Sequence, residues 1–309
     1  MLNFTFQNPT RIVFGEGQIN QLRQLVPAGA RVLMTYGGGS IKHNGVYDQV
    51  KTALKDFTVF EFGGIEPNPS YETLSKAVAL VHAEQIDFLL AVGGGSVVDG
   101  TKYIAAAARY DGEGWDILSK QVKLKAAVAL GCVLTLPATG SESNGFAVIT
   151  KQATQQKLSF GSPLVYPQFA VLDPTVTYSL PAKQLANGVV DAYIHVMEQY
   201  LTYPVGAAVQ DRFAEGLLLT LLEFGPKAIA APQDYNIRAN LMWTATMALN
   251  GLIGVGVPQD WSTHMIGHQL TALYGLDHAQ TLAIVLPAVM QQQREQKREK
   301  LLQDRKSVV

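Results

Sequence analysis

Three of the chain's six histidines, His264, His268 and His278, fall within the stretch DWSTHMIGHQLTALYGLDH that runs from Asp260 to His278. His264 and His268 are four residues apart, so on a helix their imidazoles project from one face. Gly275 reads as the helix C-cap that turns the chain before His278. A second stretch, NGVVDAYIHVMEQY from Asn187 to Tyr200, places Asp191 and His195 at the same spacing on an otherwise apolar helix. Asp191, His195, His264 and His278 together offer one carboxylate and three imidazoles. That donor set suits a borderline first-row cation, Zn²⁺ or Fe²⁺, rather than Mg²⁺ or Ca²⁺, which prefer shells of oxygen. The ordinary alternative is that each histidine is a satisfied core residue and each Asp–His pair a local hydrogen bond, and His43 and His82 fit that description. Two such pairs on apolar helix faces in one half of the chain point further, because buried polar groups without partners are costly.

The elements that position these residues follow from composition and periodicity. A chain of 309 residues with 48% apolar and 16% charged residues has room for two domains and a large core. A formal net charge of −1 gives no basic field for nucleic acid or an anionic membrane. The only cysteine, Cys132, lies in the apolar run AAVALGCVLTLP, which excludes a disulfide and fits a reducing compartment. The N-terminal MLNFTFQNPT has neither a basic nor an apolar signal region, and no apolar run approaches the ~18 residues of a membrane span. A soluble, cytoplasmic protein is expected.

Up to about residue 180 the pattern alternates. Strands are expected at Arg11–Phe14, Arg31–Tyr36, Thr58–Phe62, Asp87–Val92, Ala127–Leu136, Ser143–Thr150 and Phe169–Asp173. Helices are expected at Gln18–Leu25, Gly45–Asp56, Tyr71–Glu84 and Val97–Ala108. This is the signature of parallel β-α-β units in a Rossmann-like α/β domain, residues 1–180. Beyond Pro181 only helical periodicity remains, in Val189–Leu201, Ala207–Leu222, Ile237–Asn250, Trp261–Tyr274 and from Thr281 onward. Residues 181–309 thus read as an all-α domain that carries the metal ligands.

Two loops bear on a cofactor. Gly37-Gly38-Gly39-Ser40 and Gly93-Gly94-Gly95-Ser96 each follow an apolar strand and precede a helix, where backbone N–H groups receive phosphate. Neither is a GxGxxG or a Walker A loop. Ser96, Asp99 and Lys102 add polar groups for a ribose or nicotinamide. No acidic residue follows Arg31–Tyr36, where an NAD site would hold the 2′-hydroxyl, and this favours NADP(H) over NAD(H).

The segments GGGSVVDGTK (from Gly93), LPATGSES (from Leu136), NGVVDAYIH (from Asn187), HMIGH (from His264) and LDHAQTLAIVLP (from Leu276) resemble the iron-containing, group III alcohol dehydrogenases. They are most like the NADPH-dependent aldehyde reductase and butanol dehydrogenase branch. The likeness runs from about residue 3 to residue 303. It implies a dehydroquinate synthase-like architecture, in which a dinucleotide-binding domain precedes a helical metal domain with the active-site cleft between them. It makes Asp191, His195, His264 and His278 the ligands of one divalent metal, Fe²⁺ or Zn²⁺, with His268 lining the substrate pocket. It sets Gly94, Gly95 and Ser96 at the pyrophosphate, Asp99 and Lys157 near the nicotinamide ribose, and Thr135, Thr139 and Ser141 along the phosphate and nicotinamide. Gly37, Gly38, Gly39 and Ser40 lie toward the adenosine 2′-phosphate, with Asn68 close by.

The expected activity is hydride transfer between NADP(H) and small aliphatic aldehydes or primary alcohols by a homodimer. His268 and Asp99 are the candidate catalytic residues, and Trp261, Phe146 and Leu252 the expected pocket walls. From Asp304 the sequence DRKSVV departs from the family, whose members continue further, so the helical domain is expected to be short and to expose apolar faces. A catalytically impaired remnant that binds dinucleotide or full-length partners, and a glycerol dehydrogenase-like relative, are the competing expectations.

Overall fold

Strand β4 (Phe88–Gly94) is buried on both faces, and the sheet is built outward from it. In this computed structural model, which describes residues 1–308, six strands form one parallel sheet in the order β1-β8-β5-β4-β2-β3. The others are β1 (Arg11–Phe14), β2 (Arg31–Tyr36), β3 (Thr58–Phe62), β5 (Ala129–Leu136) and β8 (Phe169–Leu172). Helices α1 (Leu22–Leu25), α2 (Val46–Ala53), α3 (Tyr71–Ala83), α4 (Gly95–Ala107) and α5 (Asp116–Ser119) lie among them in the chain. Val32, Met34, Leu90, Val92, Val133 and Val171 pack with Ile19, Leu22, Val46 and Val50 as one core cluster. Cys132 is fully buried in β5, where the loss of solvent pushes its thiol well above the usual range.

The strand order reverses between β2 and β4. From β2 the chain steps outward to β3, and β4 returns to pair with the other side of β2, Tyr36 opposite Val92. The carboxyl ends of β2 and β4 are therefore neighbours at a topological switch point, the usual ligand position in an open α/β sheet. A second, two-stranded antiparallel sheet pairs β6 (Phe146–Lys151) with β7 (Gln156–Gly161). The sequence pattern gave a strand from Ser143 and none at β7; Ser141–Ser143 is instead a 3₁₀ turn.

The helical part comprises α6 (Ala182–Tyr200), α7 (Ala208–Ala230), α8 (Tyr235–Ala248), α9 (Ser262–Tyr274), α10 (His278–Gln292) and α11 (Arg298–Ser307). Its core joins Leu185, Ala192, Val196 and Tyr200 of α6 to Ala214, Leu218 and Leu221 of α7 and to Leu241 and Ala245 of α8. Helix α6 begins seven residues earlier than periodicity alone suggested, directly after Pro181, and α7 runs eight residues beyond Leu222.

The chain divides into two compact units, one of residues 9–136 and 141–179, the other of residues 1–8, 137–140 and 180–309. A single boundary near residue 180 does not contain this division. The first eight residues belong to the helical unit, where Leu2 donates its N–H to the Gly256 carbonyl at 2.8 Å. So does Pro137–Gly140, for a local reason: a Cβ at Gly188 of α6 would stand 2.5 Å from the Pro137 carbonyl oxygen, so glycine lets this loop lie against the helix. Among the described residues no helix is long and apolar enough to cross a membrane. Met265 and Ile266 of α9 and Ile284 of α10 are exposed.

Candidate metal centre and phosphate-binding loops

Helix α6 presents Asp191 and His195 one turn apart on its buried face, and α9 and α10 bring His264 and His278 to the same point. Gly275 caps α9 in the left-handed conformation, φ 65°, as the sequence suggested, and His278 is the first residue of α10. One atom is the focus of the cluster. Asp191 Oδ1 lies 3.6 Å from His195 Nε2, 3.7 Å from His264 Nε2 and 3.6 Å from His278 Nε2. These separations are too long for hydrogen bonds. Asp191 Oδ1 and His264 Nε2 are both buried without a hydrogen-bond partner. Ligand atoms held about 2.1 Å from a tetrahedral metal stand roughly 3.4 Å from one another, close to the spacing seen. Asp191, His195 and His264 bring their ligand atoms within 4.8 Å of one another, and His278 approaches the shared oxygen as the fourth donor. The cluster therefore fits a divalent cation on geometry and on donor chemistry.

The electrostatics agree. Burial by itself raises the Asp191 carboxyl, yet the imidazoles of His195, His278 and His264 hold it far below the usual carboxylate range. Burial brings His195 down to about 4 although Asp191 pulls it up. His264 is also disfavoured as a cation by burial, but it lies between two carboxylates, Asp191 and Glu198, which hold it up at about 9. Two buried carboxylates about one cluster call for positive charge between them.

Glu198 is the residue that spacing did not single out. It lies three residues after His195 on α6 and is 3% exposed. Its Oε1 accepts the backbone N–H groups of Thr263 (2.7 Å) and His264 (3.2 Å), and its Oε2 is hydrogen-bonded to His264 Nδ1. The only available signal was the i, i+4, i+7 spacing of Asp191, His195 and Glu198, three polar residues on one helix face. His268, also buried, stands outside the tight group, its ring 6.1 Å from that of His264 and 5.3 Å from that of His278. The indole of Trp261 meets His264 edge-on at 5.3 Å. Phe146, the other aromatic expected on a pocket wall, is 60% exposed on β6.

The α/β unit carries the two glycine loops side by side, at the ends of β2 and β4. The second runs straight into α4, whose first residue is Gly95, so its N–H groups are those of a helix N-terminus. Gly93 is needed there: a Cβ would meet the Val97 side chain at 2.6 Å. The first loop is separated from its helix, as the expected helix start at Gly45 implied. Gly39 takes φ 102° and Ser40 opens a three-residue 3₁₀ turn, while α2 starts only at Val46. Gly38 and Ser40 are exposed, and Gly37 and Gly39 partly so. No carboxylate lies in this loop. Glu61 on neighbouring β3 is occupied by Tyr47 Oη (2.8 Å), Lys51 Nζ (3.0 Å) and Tyr36 Oη (3.4 Å).

Behind the second loop is a closed polar frame. Asp99 of α4 accepts from Ser141 Oγ (2.5 Å) and from the Val148 N–H (2.9 Å). Lys102, fully buried, donates to Ser141 Oγ (2.8 Å), Asn144 Oδ1 (3.0 Å) and the Phe146 carbonyl (2.7 Å). Burial pushes Asp99 up although Lys102 opposes it, and it brings Lys102 down to about 8. Asn68, held at φ 57°, accepts from the buried Lys157 Nζ at 2.7 Å. Asn68 therefore stands beside Lys157, the residue expected at the nicotinamide ribose. Thr135 lies on β5, whereas Thr139 belongs to the loop that joins the helical unit.

Comparison with known proteins extends this picture. Two family profiles match the chain, iron-containing alcohol dehydrogenase over residues 9–174 and the Fe-containing alcohol dehydrogenase family, C-terminal, over residues 185–307. The second match passes Asp304, where the likeness was expected to end. The chain is 63% identical over 306 residues to the NADPH-dependent aldehyde reductase YqhD of Escherichia coli strain K12, covering 98% of this chain and 79% of that protein. It is 48% identical over 290 residues to the probable NADH-dependent butanol dehydrogenase 1 of Bacillus subtilis strain 168, covering 93% and 75%. The crystal structure of Escherichia coli YqhD superposes with a TM-score of 0.98 at 62% identity, over 99% of this chain and 80% of that one. That of NADH-dependent butanol dehydrogenase A from Thermotoga maritima gives 0.96 at 41%, over 100% and 78%.

Proposed function

The chain belongs to the iron-containing alcohol dehydrogenase family, and we propose that it is an NADP(H)-dependent alcohol dehydrogenase that reduces small aliphatic aldehydes to primary alcohols. The observation that carries the proposal is the convergence of three imidazole nitrogens on Asp191 Oδ1 at 3.6–3.7 Å. Asp191, His195, His264 and His278 would hold the divalent ion. When bound, the metal supplies Lewis-acid polarisation of a carbonyl and the reduced nucleotide supplies hydride.

The chain's own residues do the rest. The N–H groups of Gly94 and Gly95 at the start of α4 receive the pyrophosphate, with Ser96 beside them. Asp99 is fixed by Ser141 and Val148 on one side and faces the charge of Lys157, a setting suited to ribose hydroxyls. Gly38 and Ser40 offer an exposed N–H and hydroxyl for a 2′-phosphate. The one carboxylate on β3 that could repel it, Glu61, is held by Tyr47 and Lys51. This supports NADP(H) over NAD(H). His268, buried beside His278, is placed to pass a proton to the nascent alcohol.

The test is NADPH oxidation with butanal, with NADH in parallel, before and after chelation, on a preparation whose sedimentation shows the expected homodimer. Turnover that disappears with chelator, returns with Fe²⁺ or Zn²⁺ and favours NADPH is the expected result. Turnover indifferent to chelation would sink the metal-centred reading. Equal rates with NADH would sink the nucleotide preference alone.

A further inference from the structure

Glu198 joins two things that are otherwise separate, the N-terminus of α9 and the imidazole of its third residue. We propose that Glu198 is a positioning residue that fixes His264 in the one tautomer able to bind a metal. The inference rests on the metal site proposed above.

Oε1 of Glu198 accepts the N–H groups of Thr263 and His264, two donors that the first turn of α9 leaves without intrahelical partners. With that oxygen anchored to backbone, Oε2 has one place left to point, and it meets His264 Nδ1. A carboxylate only accepts hydrogen bonds, so the ring nitrogen facing it must carry the proton. In the neutral imidazole, the form that binds a metal, the other nitrogen, Nε2, is then a bare lone pair. It is buried, has no hydrogen-bond partner and lies 3.7 Å from Asp191 Oδ1. Glu198, 3% exposed and two turns along α6 from Asp191, thus makes one helix supply both a ligand and the orienting group of a second ligand on another helix. Hydrogen-bonded carboxylates behind ligating imidazoles fix ring orientation and raise ligand basicity, and their loss weakens metal binding by 10–100-fold.

Substitution by glutamine separates this role from simple capping. In Glu198→Gln the amide oxygen can still accept from Thr263 and His264. The amide nitrogen then faces His264 Nδ1 as a donor and drives the ring proton onto Nε2, toward the metal. The full chain is stripped of metal with chelator and titrated with Zn²⁺ against a competing chelating dye, and the melting temperature of each metal-free protein is recorded. We expect Glu198→Gln to bind Zn²⁺ about 10–100-fold more weakly than the parent, with the metal-free melting temperature changed little. Glu198→Asp, which keeps an acceptor, should bind better than Glu198→Gln. Equal Zn²⁺ affinity in Glu198→Gln and parent overturns the proposal, as does weaker binding by Glu198→Asp than by Glu198→Gln. If Glu198→Gln does not fold, ¹⁵N spectra of the Zn²⁺-loaded parent decide: coordination through Nε2 with the proton on Nδ1 supports the assignment, and coordination through Nδ1 overturns it. A parent chain that takes up no Zn²⁺ at all removes the metal site itself, a failure distinct from that of Glu198.

Discussion

Asp191 differs from the other proposed ligands in carrying the atom, Oδ1, on which they converge, and its loss should therefore differ from the loss of a neighbour. Asp191→Ala removes the only anionic ligand and leaves three imidazoles with no common partner. Bound metal should fall from one per chain toward none, and aldehyde reduction by about a thousandfold, the few kcal/mol a Lewis acid supplies. His268→Ala should behave otherwise. Its ring lies outside the tight group, so metal content should stay at the parent level while turnover drops about a hundredfold, the scale of a lost proton transfer. Metal analysis beside steady-state rates separates the two. A His268→Ala protein that loses its metal would make His268 a ligand.

At the scale of elements, the frame behind α4 is the clearest case of structure held by one side chain. Lys102 is buried with a value of about 8 against an ordinary 10.5, so between these two pH values the unfolded chain carries a proton there that the folded chain has released. The contribution of this group to stability therefore rises with pH across that window, by up to about 3 kcal/mol at 1.36 kcal/mol per unit. Denaturant unfolding at pH 7.5 and pH 10 should show the parent gaining on Lys102→Met over the interval; a constant gap between the two would refute it. Lys102→Met should also weaken nucleotide binding, because Ser141, Asn144 and the Phe146 carbonyl lose their shared donor. Much of this site was legible beforehand because its signals are local. Asp191 with His195 is a helix-period pair, and Gly93–Ser96 follows an apolar run. Glu198 was not legible, because a glutamate in the last turns of a helix looks like a solvated charge unless α9, 65 residues onward, is known to pack on it. Nor was β7: QKLSFG mixes polar and apolar residues, and its pairing with β6 supplies what its composition lacks. The adjacency of the two glycine loops is a property of strand order, which no single β-α unit contains.

For the molecule as a whole, the two units should respond to different ligands. Zn²⁺ at a hundred times its dissociation constant adds about 2.7 kcal/mol to whatever binds it, which slows exchange of the most protected amides about a hundredfold. That protection should appear in α6, α9 and α10, whereas NADPH should protect Gly93–Lys102 and the Ser141–Val148 segment. Hydrogen exchange read by mass spectrometry would contradict the assignment if metal protected the sheet and left the three helices unchanged. The placement of sulfur carries a further consequence. An aldehyde reductase works in a solution of electrophiles, and conjugated aldehydes add to thiolates. The proposed metal ligands offer nitrogen and oxygen alone, and the single thiol lies inside β5, out of solvent and protonated. An electrophile in solution therefore meets no exposed thiolate at Cys132, which is spared alkylation there.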